Sequence, residues 1–218
     1  MIIQGLSEFL YDYPGMAVQP FRLGGPTIIE GRFRFAANDD IRDTYDLRIT
    51  IQPNFPREVP TVVEVGGKIP REPYYHVNPD TTLCLGSPLR LKKMLADQPD
   101  LVAFAEKCLV PYLVKVSAHL QRGEELVGLK HGMPGIVDDY ADLFGLSSVD
   151  QILRALELLA MKKRLANKQH CPCRCRLRLG RCPTHLRLNA LRRVAPRSWY
   201  AMHAQQIRRE VEALAGSF

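Results

Sequence analysis

The stretch His76-Val77-Asn78-Pro79-Asp80-Thr81-Thr82-Leu83-Cys84-Leu85 brings an imidazole, a carboxamide, a carboxylate and a thiol together in ten residues. A thiolate is the strongest ordinary nucleophile a side chain offers and can carry an acyl group as a thioester. A lone cysteine also serves as a small buried hydrophobe, so Cys84 has two readings until its surroundings are known. A second concentration lies further on, where His170-Cys171-Pro172-Cys173-Arg174-Cys175 and Leu179-Gly180-Arg181-Cys182-Pro183-Thr184-His185 place four thiols and two imidazoles in sixteen residues. Zn²⁺ takes four thiolate or imidazole ligands in a tetrahedron, and so short a segment has too little core to order itself without such a clamp. The interspersed arginines would lower the thiol pKa values and assist loading. No phosphate-binding loop, Ser-His-Asp arrangement or glycosidase carboxylate pair is evident.

The remaining composition sets the stage for these two clusters. The chain has 218 residues, 46% hydrophobic and 24% charged, enough for one good core and a smaller appendage. No apolar run approaches the ~18–20 residues that cross a bilayer, and Met1-Ile2-Ile3 lacks the basic start of a secretory signal. A cytoplasmic setting without a membrane partner is expected, and a reducing compartment disfavours disulfides. Charge is divided unevenly. Residues 161–218 hold fourteen Lys or Arg against two acids, a net of +12, leaving −5 for residues 1–160. The tail is therefore either a solvated basic face or a surface for a polyanion or an acidic protein.

Period and punctuation then assign the elements. Leu6, Phe9, Leu10 and Tyr13 predict a short helix before Pro14-Gly15, with a loop through Gly24-Gly25-Pro26. Ile29, Gly31, Phe33 and Phe35 alternate with polar residues, as do Tyr45, Leu47, Ile49 and Ile51 after an Asn38-Asp39-Asp40 turn, which predicts two antiparallel strands. Thr61 to Val65 predicts a third, reached by a rigid corner at Pro56 and Pro60. Residues 68–89 have no period and read as a long ordered loop. Leu101 to Leu109 and a run from Pro111 to Leu120 are helical, with Cys108 packed on the apolar face. Gly123, Gly128 and Gly132 to Gly135 end the first domain. Ile136 to Phe144 is a short helix, Ser148 and Gln151 form a capping box for a helix ending in Lys162-Lys163-Arg164, and two basic helices flank Pro196.

Strand meander, proline corner, His-x-Asn and Leu-Cys-Leu together resemble the ubiquitin-conjugating enzyme family in its bacterial branch. The resemblance covers residues 1–125. The family's Tyr-Pro-x-x-Pro-Pro corner compares with Phe55-Pro56-Arg57-Glu58-Val59-Pro60, and its His-Pro-Asn and Ile-Cys-Leu with His76-Val77-Asn78 and Leu83-Cys84-Leu85. Val77 replaces the proline, and the interval from His76 to Cys84 is slightly short. The resemblance implies an α+β ubiquitin-conjugating fold, an antiparallel meander with flanking helices. It further implies that Cys84 receives the C-terminal acyl group of a ubiquitin-like protein from an activating enzyme and passes it to an acceptor amine. Asn78 would donate to the oxyanion, His76 would pin the loop, and Asp80 could orient or deprotonate the incoming lysine. Bacterial relatives of this kind imply a place in anti-phage defence, with a nucleotidyltransferase-type enzyme as acceptor.

The cysteine cluster resembles the SEC-C type of zinc motif, Cys-Pro-Cys-Gly-Ser-Gly, a basic stretch, then Cys followed by Cys or His. On that pattern Cys171, Cys173 and Cys182 are structural zinc ligands, and with Pro183 in the next position the fourth is His185, with Cys175 its rival. Residues 133–218 would form a helical extension with its zinc motif at 170–185. The alternative to a conjugating enzyme is an inactive scaffold of the same fold whose basic zinc tail grips nucleic acid or an acidic protein.

Overall fold

Alternating apolar and polar residues produce the two longest strands, β2 (Thr27–Ala37) and β3 (Ile41–Ile51), in a computed structural model that describes residues 2–20, 23–37, 41–126 and 132–215. The Asn38-Asp39-Asp40 turn and Gly128 lie outside the described residues. With β1 (Met16–Val18) and β4 (Thr61–Glu64) the two strands form a four-stranded antiparallel sheet of order β1-β2-β3-β4. Register puts Ile29 opposite Ile49 and Phe33 opposite Tyr45, so one face is continuously apolar. β1 falls within a stretch read from sequence as helix and loop. Gly31 admits it, because a Cβ there would stand 2.2 Å from the Gly15 carbonyl oxygen, to which Arg32 N–H donates.

The apolar face is covered by α1 (Leu6–Asp12), α3 (Leu101–Phe104) and α4 (Val110–Arg122), with Phe9, Phe104, Leu109 and Leu113 fully buried. The fold of this unit is α+β. Between α3 and α4 the residues Ala105–Leu109 make a π-helical turn, so the helix expected to restart at Pro111 is continuous. Proline has no N–H to give to the preceding turn, and the wider turn accommodates it. Cys108 lies in this turn, 8% exposed, and burial pushes its thiol up to about 11. α2 (Pro88–Asp97) starts at the end of the region read as loop and runs on through residues given no element from sequence, capped by Ser87, whose hydroxyl accepts from Arg90 N–H at 3.4 Å.

One polar chain crosses this core. Ser117, fully buried, donates to Asp43 Oδ2 at 2.8 Å, which leaves its oxygen to accept from the Tyr45 hydroxyl at 2.8 Å. Gln121 Nε2 and Thr44 N–H also donate to Asp43, at 3.1 and 2.7 Å, and Lys68 pairs with it. Burial pushes the Asp43 carboxyl up, but the bonds from Lys68, Ser117 and Thr44 outweigh it and hold it below the usual carboxylate range.

The chain divides into two compact units, Met1–Leu129 and Lys130–Phe218. The second is built from α5 (Gly132–Phe144), α6 (Val149–Ala160), α7 (Lys163–Ala166), α8 (Thr184–Leu191) and α9 (Arg197–Ala215). Gly132 to Gly135, a break on the sequence reading, form the first turn of α5, where Pro134 gives up no needed N–H. Ser148 caps α6 by accepting from Gln151 N–H, while Gln151 Oε1 reaches back to Ser147 N–H at 2.9 Å, one residue before the expected partner. Lys162 to Arg164 lie beyond the end of α6. Arg192 closes that helix instead, its guanidinium donating to the carbonyls of Leu158, Leu159 and Met161 at 2.7–3.1 Å. Tyr140 and His203, both buried, share a 2.6 Å hydrogen bond in the core of this unit. No helix of the described residues is long and apolar enough to cross a membrane.

Because the folded Asp43 carboxyl titrates below its unfolded value, its contribution is present above about pH 4 and is lost as pH falls through the folded value. Asp43→Asn is expected to cost roughly 1.5–3 kcal/mol at pH 7, the range for hydrogen bonds to a charged group. Denaturant melts of the wild type and the variant should converge as pH drops below 4. A constant difference across pH would reject the assignment.

Candidate functional site

Cys84 sits where the regular sheet ends. On the outer edge of β4, Leu83 N–H donates to the Val62 carbonyl at 2.8 Å and Thr82 bridges to Val63. On its other side the same segment pairs Leu83 with Val77, while Cys84 N–H donates to the His76 carbonyl and Asn78 N–H to the Thr82 carbonyl, each at 2.8 Å. The result is a tight hairpin from His76 to Cys84 that turns at Pro79 to Thr81. Thr81 and His76 hold φ values of 70° and 55°, conformations that a β-branched or bulky residue adopts only when its surroundings impose them. A 3-10 turn, Pro73–Tyr75, leads into the hairpin, and the buried Tyr112 hydroxyl fixes it by donating to the Tyr75 carbonyl at 2.7 Å.

The four residues singled out from sequence therefore lie in one hairpin, in different environments. His76 is 3% exposed, Cys84 is half-buried, and Asn78 and Asp80 are exposed. The Asn78 Nδ2 donates to Thr82 Oγ1 at 3.0 Å, which is a bracing bond. The Thr82 hydroxyl and N–H donate to Asp80 Oδ1 at 2.6 and 3.1 Å and hold its carboxyl below the usual range, so Asp80 is an anion and a weak base at neutral pH. Burial pushes the Cys84 thiol up, against a hydrogen bond from the Gly86 N–H. Cys84 is thus a protonated thiol at rest.

In the second unit, Cys171 N–H donates to the Leu177 carbonyl and Leu179 N–H to that of Gln169, at 2.9 and 2.8 Å, making a short hairpin of residues 169–179. At its tip Arg174 and Arg176 have φ values of 62° and 64°. These two left-handed residues curl the chain so that Cys171, Cys173 and Cys175 face inward. A 3-10 turn, Leu179–Arg181, then delivers Cys182 to the same point. The four Sγ atoms lie within 4.8 Å of one another, with Cys171 to Cys173 at 3.1 Å and Cys173 to Cys182 at 3.5 Å. A tetrahedron with Zn–S bonds of ~2.3 Å requires sulfurs ~3.8 Å apart, so the spacing fits a four-thiolate centre.

Of the two candidates for the fourth corner, the structure places Cys175 with the other three sulfurs. His185 does not join the cluster: it opens a turn of α8, and its Nδ1 is engaged with the Cys182 carbonyl at 2.5 Å. Cys175 takes the position, because the two left-handed turns shorten the path back to Cys182. Thr184 is a residue that sequence reasoning missed, its hydroxyl 3.3 Å from Cys182 Sγ. Burial pushes the Cys173 thiol up, but hydrogen bonds from Cys171 and Cys175 prevail and bring it down to about 6. Burial likewise opposes, and the Thr184 hydroxyl and N–H overcome it, in lowering Cys182. Two of the four sulfurs are therefore disposed toward the thiolate form that a metal needs. All six cysteines are free thiols.

Protein purified in zinc-supplemented medium should carry one equivalent by elemental analysis, lose it in a Cys175→Ser variant and keep it in His185→Ala. Retention by the first and loss by the second would restore the histidine as ligand. Left-handed φ costs a non-glycine residue roughly 1 kcal/mol. Arg174→Gly and Arg176→Gly should each raise the stability of the metal-loaded protein by about 0.5–1 kcal/mol in chemical denaturation, and a loss in both would mean that the turns are not strained. The chain matches no family model, no curated protein and no solved structure.

Proposed function

We propose that the first unit is a ubiquitin-conjugating-type acyl carrier of bacterial kind, with Cys84 as the thioester residue. The observation that carries this reading is the hairpin from His76 to Cys84, which brings a half-buried thiol, a carboxamide and a carboxylate together at the edge of an antiparallel sheet. The meander of β2, β3 and β4 and the Pro56 to Pro60 corner agree with the ubiquitin-conjugating fold. On this reading the Cys84 thiolate attacks the activated C-terminal acyl group of a ubiquitin-like protein, releasing the activating enzyme's thiol. A lysine amine of the acceptor then attacks the thioester carbonyl and Cys84 leaves as thiolate. The second Asn78 N–H has no partner among the described residues and is the donor available to the oxyanion. Asp80, anionic and exposed, attracts the acceptor ammonium, and His76 is a loop-bracing residue whose carbonyl holds Cys84 in place. A thiol kept protonated at rest is protected from alkylation and oxidation until a partner engages it.

The second unit is proposed as a SEC-C-like module with structural zinc on Cys171, Cys173, Cys175 and Cys182. The motif carries glycine at the two positions that Arg174 and Arg176 fill, and both have the left-handed backbone that glycine favours. The acceptor class proposed, a nucleotidyltransferase-type defence enzyme in the cytoplasm, rests on the bacterial resemblance alone.

With the cognate ubiquitin-like protein, its activating enzyme and ATP, the wild type should form an adduct that dithiothreitol cleaves. Cys84→Ser should convert it to an ester that survives the reductant, Cys84→Ala should abolish it, and Cys108→Ala should leave it intact. Asn78→Ala should load normally and discharge to an amine roughly 10²–10³-fold more slowly, the range for loss of one oxyanion donor. An adduct persisting in Cys84→Ala would place the thioester elsewhere.

A further inference from the structure

We propose that the cysteine hairpin of the second unit and its flanking segments form a binding surface for the phosphate backbone of duplex nucleic acid. The inference stands on charge and geometry in that unit and is independent of the thioester chemistry of Cys84.

Between Glu157 and Glu210 the sequence contains fourteen Lys or Arg and no carboxylate. Several of them meet no carboxylate among the described residues. Arg208 pairs with Glu157 at 2.5 Å and Arg192 is consumed in closing α6, while Arg174 meets Asp150 only at 3.6 Å, with both side chains at least 70% exposed. Lys168, Arg176, Arg178, Arg181 and Arg187 are exposed and form no ion pair among the described residues. Four arginines, at 174, 176, 178 and 181, sit on the one short hairpin and the turn that follows it, so their positions are set by the cysteine cluster rather than by long mobile loops. A metal with four thiolates carries a net charge of −2, which leaves the surrounding surface strongly positive.

The composition of this surface also indicates which polyanion it fits. Proteins that hold single strands pair basic grooves with aromatic platforms on which bases stack. From Met161 to Ser198 there is no Phe, Tyr or Trp, and the next aromatic, Trp199, is stacked on His203 with ring centroids 4.6 Å apart. Without aromatic residues to stack on, the contacts available to this segment are charge-assisted bonds from guanidinium groups to phosphate oxygens, which duplex DNA or RNA presents at high and regular density. Base-edge reading is not expected, so binding should be independent of sequence.

The test uses the full-length, zinc-loaded chain and a fluorescein-labelled 25-base-pair duplex of arbitrary sequence, read by anisotropy. Four phosphate contacts predict an affinity that falls about 10²-fold between 50 and 200 mM salt. Replacing Arg174, Arg176, Arg178 and Arg181 with Gln should remove most of that slope while retaining the metal equivalent, which reports that the hairpin is folded. Replacing Arg34, Arg42, Arg57 and Arg71 of the first unit with Gln changes net charge equally and should leave binding unaltered. Failure to bind duplex at 50 mM salt, or equal loss in the first-unit variant, would overturn the proposal. So would equally tight binding of an oligothymidine strand, or displacement by polyglutamate at equal charge concentration, which would point to an acidic protein surface. Cys84→Ser should bind duplex like the wild type, so a failed carrier and a failed nucleic-acid site give different results.

Discussion

The bond from the Leu83 N–H to the Val62 carbonyl is the point on which the candidate site depends. A sheet edge left open exposes a row of unpaired donors and acceptors, and here the edge of β4 is taken by Thr82 and Leu83. That pairing fixes one arm of the hairpin against a rigid sheet, and the second arm follows from the bonds of Cys84 to His76 and of Asn78 to Thr82. An irregular segment thereby acquires the positional accuracy of a strand. The cost is visible in the backbone, since the chain can reverse within Pro79 to Thr81 only by placing Thr81 in the left-handed region.

The same device recurs in the other unit. Among the described residues, the non-glycine positions with positive φ are His76, Thr81, Arg174 and Arg176, two in each candidate site. Glycine would relieve each, and its absence means that the surrounding bonds over-determine the conformation. In the first unit the sheet edge supplies those bonds. The cysteine hairpin rests on few backbone bonds and on the completely buried Leu179, so four sulfurs converging on one point are the natural source of the remaining constraint.

Much of the fold was legible because its signals are periodic. Alternation runs from Ile29 to Phe35 in β2 and from Tyr45 to Ile51 in β3, and the helical stripes of α4 and α6 are long enough to count. β1 has three residues and shows no period, and its existence depends on Gly15 and Gly31 approaching closely, a long-range fact. α2 was hidden by the half-buried Lys92 and Lys93 among its apolar residues, although Ser87-Pro88 carried a start signal. The closure of α6 by Arg192 joins residues more than thirty positions apart and has no local mark. At the cysteine cluster, the residue types and three of the four converging positions were legible. The choice between Cys175 and His185 was not, because the turns that decide it fall on arginines, and an arginine does not advertise a left-handed turn as glycine does.

The two sites also differ in how their thiols are treated, and the difference is electrostatic. Cys84 is half-buried with one opposing N–H bond, so its charged form is disfavoured. Cys173 and Cys182 receive several hydrogen bonds that favour the thiolate, in a segment free of carboxylates and surrounded by guanidinium groups. One environment keeps a single thiol neutral, and in the other Cys173 and Cys182 are shifted toward the thiolate while Cys171 and Cys175 are shifted away from it, so that within the cluster the thiols share their protons unequally. Cys108, buried in the π-helical turn against apolar neighbours, belongs to neither class. Three chemical environments for one residue type thus follow from burial and hydrogen bonding, with no change in the side chain itself.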